Sequence, residues 1–150
     1  MRNLELPGRS PVIATEGMAS TSHVLATSTA ISILKNGGNA MDAAVAACAV
    51  QCVVEPESTG IGGDCFCLYG PEGSDDYIAY NGSGRAPAAA TAKWYADQGI
   101  EKIELSSAHA VTIPGAVDAW VRLIADHGTM SLNDILKPAI NYAKKGYFSD

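Results

Sequence analysis

The segment Tyr80–Thr91, YNGSGRAPAAAT, holds the clearest chemistry in the chain. It sets Arg85 among glycine, serine and small residues just past a strand, where a guanidinium has room. Such a group suits a carboxylate, which it grips with two parallel hydrogen bonds. It equally suits tethering a surface loop, and spacing alone leaves both readings open. Ser83 and Asn81 in the same loop can add neutral hydrogen bonds. A second candidate is the glycine-rich stretch Gly60-Ile61-Gly62-Gly63. No Lys-Ser/Thr follows it and a strand comes next, so it is no P-loop, and it lacks G-x-G-x-x-G spacing. A tight turn packed under the sheet is the better reading, with a small phosphate-binding domain as its weaker rival. His23, His109 and His127 have no spacing that points to a metal or a proton relay; His127, before Gly128, fits a helix C-terminus. No Ser-His-Asp or Cys-His arrangement is visible.

Four cysteines complete the inventory. Cys48 and Cys52 are one helical turn apart, and Cys65 and Cys67 alternate along a strand, so each pair is expected to point into the core. A zinc site would favour a C-x2-C knuckle on a turn, which makes small buried hydrophobes the reading of choice.

What must position these residues is one domain. The 150 residues are 47% apolar and 17% charged, an ordinary balance for a globular protein. A net charge of −6, from 10 basic and 16 acidic residues, argues against nucleic acid or an anionic membrane surface as partner. No stretch reaches the roughly 18 uninterrupted apolar residues of a membrane span. The opening MRNLELPGRSPVIATEG has no apolar core of the kind a secretory signal needs, so a cytoplasmic location is expected.

The chain alternates short strands and helices. Val12–Thr15 is a candidate strand. Ser22 is expected to cap a helix to about Asn36, with Val24, Thr27, Ile31 and Leu34 on one face and Gly37–Gly38 as its stop. Asn39 with Asp42 opens a second helix, 40–54, that is apolar on nearly every side and belongs in the middle of a layered domain. Cys65–Gly70 and Tyr77–Tyr80 form a hairpin around PEGSDD. Ala88–Gln98 is expected to be a short helix and Ala108–Ile113 a strand. A helix then runs from Pro114–Gly115 to His127 with Val117, Trp120, Val121 and Ile124 inward. Ser131 with Asp134 opens the last, broken or bent at Pro138 and ended by Gly146.

Five pieces in this order, GMASTSHVLATSTAISILKNGGNAMDAAVAA, VVEPESTGIGGDCF, GRAPAAAT, VTIPGAVDAW and HGTMSLNDILKPAINYAKKGYF, resemble the gamma-glutamyltranspeptidase family from about Gly17 onward. The resemblance implies an α/β (α+β) fold, the αββα sandwich of N-terminal nucleophile (Ntn) hydrolases, of which this chain would supply part of the helical layers and sheet. Residues 1–16 would form an N-terminal extension with a short strand. Residues 17–150 would be the first segment of a single domain that continues beyond residue 150.

The resemblance also implies an activity. The family cuts its own precursor, and the Thr so exposed attacks gamma-glutamyl amides of the glutathione type, passing the acyl group to water or an amine. That Thr, and the catalytic residues generally, would lie outside this chain, which would provide one wall of the substrate pocket. No cofactor or metal is implied. The expected partners are a small gamma-glutamyl or other acyl-amide substrate and the remaining large- and small-subunit segments of the precursor.

One departure is notable. Family members that bind the gamma-glutamyl α-carboxylate carry an Arg in F-R-E-x-A-P, four residues before the Pro. Here that position, counted from Pro87, is Ser83, and the Arg stands at Arg85. Arg85, Ser83 and Asn81 are the substrate-binding candidates. The shift keeps a cephalosporin-acylase-like enzyme with another acyl donor as the alternative, and a non-catalytic scaffold would follow if the protein ended at residue 150.

Overall fold

The computed structural model describes residues 11–148. Four long helices form one layer: α1 (Val24–Lys35), α2 (Ala40–Val54), α4 (Ala116–His127) and α5 (Leu132–Lys145). A short helix α3 (Ala92–Asp97) lies apart from them in sequence. The antiparallel hairpin β1 (Phe66–Tyr69) and β2 (Ile78–Asn81) pairs Phe66 with Asn81 and Tyr69 with Ile78.

Helix α2 is the centre, as its composition requires. It packs against α1, α4 and α5, and Val45, Ala46, Ala49 and Val50 are buried there. Complete burial of Val50 alone is worth roughly 1.5–3 kcal/mol. The abundance of alanine lets the neighbouring helix backbones approach closely. The α2 N-terminus is a full capping box: Asn39 Oδ1 accepts from Asp42 N–H (3.0 Å) and Asp42 Oδ2 from Asn39 N–H (2.8 Å). Asp42 is also wholly buried and reaches the α4–α5 turn, accepting from Thr129 N–H (3.0 Å), Thr129 Oγ1 (2.6 Å) and Met130 N–H (3.3 Å). Asn39 Nδ2 donates to the His127 carbonyl (2.6 Å). The two ends of the helical layer are thereby clasped together.

Several expectations are corrected. Val12–Thr15 forms no strand; Val12 and Ile13 are exposed and pair with no neighbouring strand. The cap of α1 is His23, whose Nδ1 accepts from Leu25 N–H (3.1 Å), whereas Ser22 donates to Glu55 Oε2 (2.7 Å) beyond the end of α2. The buried face of α1 is Ala26, Thr29, Ala30 and Ile33, with Val24 exposed, because small residues are what lets α1 close on α2. On α4 the inward stripe is Ala116, Ala119, Trp120, Leu123 and Ile124, leaving Val117 and Val121 at the surface.

Ala88–Gln98 shortens to α3 with Thr91 as its cap. Ala108–Ile113 holds a 3-10 turn at Ala108–Ala110 followed by extended chain. Pro138 does not break α5: the bond it cannot make would end on the carbonyl of exposed Asp134, within reach of water. The glycine stops are as expected, with Gly37 at φ 89° and Gly146 at φ 78°.

The hairpin has two unlike faces. Cys65, Cys67, Tyr69 and Tyr80 lean on the helical core, while Phe66 and Leu68 point away from it at 72% and 81% exposure. Among the described residues the sheet has these two strands only.

Candidate functional site

Three segments cross where β2 ends. They are the loop 60–65, the loop 81–87 and the stretch 111–116 that leads into α4. Gly82 N–H donates to the Cys65 carbonyl (2.7 Å), and Ile113 N–H to the Arg85 carbonyl (3.0 Å). The Gly63 carbonyl accepts from both Gly115 N–H (3.1 Å) and Ala116 N–H (3.0 Å). Gly63 therefore satisfies the first free amides of α4, whose N-cap is Gly115 and has no side chain to do so. Those two amides are occupied, so Gly60–Gly63 serves here as a turn that closes on the start of α4.

The crossing demands glycine. A Cβ on Gly84 would sit 1.3 Å from the Ile113 carbonyl oxygen, and one on Gly115 2.3 Å from the Gly82 carbonyl oxygen. A Cβ on Gly82 would meet the Cβ of Ala119 at 2.5 Å. These glycines are in place because the backbones touch.

Within this cluster Asn81 and Ser83 are directly joined: Asn81 Oδ1 accepts from Ser83 N–H (2.9 Å), an Asx turn that starts the loop. The Asn81 carbonyl group of the side chain thus shapes the loop, while the Ser83 hydroxyl is half-buried beside it. Arg85 is exposed, and its guanidinium makes no ion pair among the described residues. Its backbone is fixed while its side chain is free to extend, an arrangement able to receive an anionic group.

Sequence reasoning missed Asp64. Its Oδ1 accepts from Gly84 N–H (2.9 Å) and from Thr112 Oγ1 (3.0 Å), tying all three segments with one atom. The sequence offers one signal, an acidic residue closing a glycine run, but its partners lie 20 and 48 positions away.

Beside the loop, Trp94, Tyr95 and His109 meet edge to face at 5.1–5.7 Å between ring centres. They line a recess of about 190 Å³ with Pro87, Ala89 and Val111. His127 stacks at a tilt on Tyr69, 5.0 Å between centres. The four cysteines are free thiols, and the expected inward packing is met by Cys52, Cys65 and Cys67, which are half-buried against the core, but not by Cys48, which is at the surface of α2. Among the described residues no three His, Cys, Asp or Glu side chains gather as metal ligands. No helix there is long and apolar enough to cross a membrane.

Comparison with known proteins gives the class. The profile of the family described as Gamma-glutamyltranspeptidase matches residues 26–149, so the chain belongs to the gamma-glutamyltranspeptidase family. Its helix-backed antiparallel hairpin matches the Ntn-hydrolase fold of that family's solved structures. The crystal structure of Helicobacter pylori gamma-glutamyltranspeptidase superposes with a TM-score of 0.82 at 31% identity, over 91% of this chain and 40% of that one. Cephalosporin acylase from Bacillus halodurans gives a TM-score of 0.78 at 38% identity, over 94% and 27%. In sequence, the Glutathione hydrolase-like YwrD proenzyme of Bacillus subtilis (strain 168) is 42% identical over 137 residues, 91% of this chain and 26% of that protein. The chain spans about a quarter of the length of such relatives.

Proposed function

We propose that this chain forms one wall of the acyl-donor pocket in a gamma-glutamyltranspeptidase-like hydrolase or acyltransferase. The donor is a gamma-glutamyl amide of the glutathione type. The nucleophile is the Thr freed by self-cleavage of the precursor, on a segment other than residues 1–150. Residues 17–150 act as one segment of a single Ntn-hydrolase domain, with 1–16 as an extension. The observation that carries the reading is Arg85: an exposed guanidinium on a backbone held at both sides, at the end of a strand. Such a group receives a substrate carboxylate through charge-assisted bonds. Ser83 and Asn81 shape the loop beneath it. Relatives named as glutathione hydrolases support the donor class. A cytoplasmic site of action belongs to the same proposal, and the four free thiols support it.

The position of Arg85 two residues before Pro87, together with the likeness to cephalosporin acylase, favours a second reading with a different acyl donor. Steady-state kinetics on the self-processed protein separate the two, with gamma-glutamyl-p-nitroanilide beside a glutaryl anilide. Arg85→Ala is expected to raise KM for the gamma-glutamyl donor by about 10- to 100-fold with kcat little changed. An unchanged KM would remove Arg85 from the carboxylate task. Turnover of the glutaryl anilide alone would select the acylase reading.

A further inference from the structure

Asp64 sits where three segments meet, yet its carboxylate neither caps a helix nor pairs with a cation among the described residues. All its described bonds converge on the backbone around Arg85. Gly84, whose N–H it accepts, is the residue before Arg85. Thr112, whose hydroxyl it accepts, precedes Ile113, whose N–H holds the Arg85 carbonyl. One oxygen thus fixes the peptide entering Arg85 and the extended segment that grips the peptide leaving it. Its neighbour Gly63 anchors the same extended segment two residues on, at the start of α4. Gly84 and Gly115 leave no room for a side chain between the layers, so the Asp64 carboxylate reaches across the crossing from its edge.

We infer that Asp64 is the positioning residue for Arg85, setting where the guanidinium stands and so how tightly the acyl donor's carboxylate is held. This rests on the carboxylate reading of Arg85 given above. An Asn at this position keeps an Oδ1 acceptor and the same shape; an Ala keeps neither. Loss of a fixed position weakens a bidentate grip because the ordering of the side chain must then be met on binding.

The test is a double-mutant cycle on the full self-processed protein with gamma-glutamyl-p-nitroanilide, reading KM and kcat separately. Asp64→Ala is expected to raise KM about tenfold with kcat within about twofold, and Asp64→Asn to stay near wild type. Thr112→Val, which removes one of the two donors and leaves the fold's packing intact, is expected to raise KM about threefold. In the Arg85→Ala background neither Asp64→Ala nor Thr112→Val should change KM further, since the group they position is gone. If Arg85→Ala raises KM while Asp64→Ala and Thr112→Val do not, the inference is overturned and the carboxylate reading stands. Additive effects in the double variants would also overturn it, because Asp64 would then act on something other than Arg85. If Arg85→Ala itself changes nothing, both fall together.

Discussion

The helical layer and the loop crossing are held by opposite means. Around α2 the stabilising groups are side chains: a buried alanine and valine seam, with one buried carboxylate, Asp42, joining α2 to the α4–α5 turn. At the crossing the backbones themselves touch, glycine carbonyl to glycine amide, and side chains are nearly excluded. Both regions centre on one aspartate that gathers donors. Asp42 is sealed from solvent, whereas Asp64 is exposed. The same residue type thus serves stability in one place and placement in the other, and burial decides which.

The comparison breaks most visibly at Asp42. Replacing it with Ala takes the acceptor from the donors of half-buried Asn39 and exposed Thr129 and ends the capping box, and we expect a loss of about 2–3 kcal/mol, seen as a drop of roughly 5–10 °C in Tm. The pH dependence has a definite sign. Burial pushes the Asp42 carboxyl up, but the Thr129 hydroxyl and the N–H groups of Asn39, Thr129 and Met130 together hold it below its ordinary 3.8. Its contribution is therefore whole above pH ~4 and is lost as pH falls through the lowered value. Acid unfolding of Asp42→Asn, followed by circular dichroism, should lack this part of the slope below pH ~4.

Next in size is Gly84→Ala. Its methyl group would lie on the Ile113 carbonyl oxygen, so the two segments must part and the Gly84–Asp64 bond opens. Activity is expected to fall about 100-fold in kcat/KM, as displacement of a positioning group by about 1 Å does. Tm should move far less than for Asp42→Ala. An equal loss of stability would erase the distinction between the two regions. The smallest effect belongs to Lys93→Ala on α3, whose ion pair with Asp97 is solvent-exposed, expected to alter stability by no more than about 0.5 kcal/mol in chemical denaturation.

How far the sequence revealed this depended on the reach of each interaction. The Asn39–Asp42 box, the glycine stops and the hairpin depend on residues a few positions apart, and all were legible. The cap of α1 is not the expected Ser22, because that hydroxyl is committed to Glu55, 33 positions away. The expected strand near Ala108–Ile113 read a β-like composition correctly, but the extended part there has a single backbone bond to Arg85 in place of a ladder. Around the candidate site, the segment carrying Arg85, Ser83 and Asn81 is legible as a loop from its glycines, and the chain there is irregular past β2. The role of Asp64 was not, because a side chain bridging segments 20 and 48 positions distant leaves no local pattern.

The clasp between Asp42 and Thr129 joins residues 87 positions apart, with the hairpin, the site loop and α3 all strung between them. Within that span the stretch 56–114 leaves the end of α2 and returns to the start of α4, and the packing of α4 on α2 tethers both its ends. Doubling the length of such a loop adds only about 0.6 kcal/mol of closure entropy. Evolution can therefore redraft the stretch, shifting an arginine by two places or exchanging an aromatic wall, while the frame keeps its register.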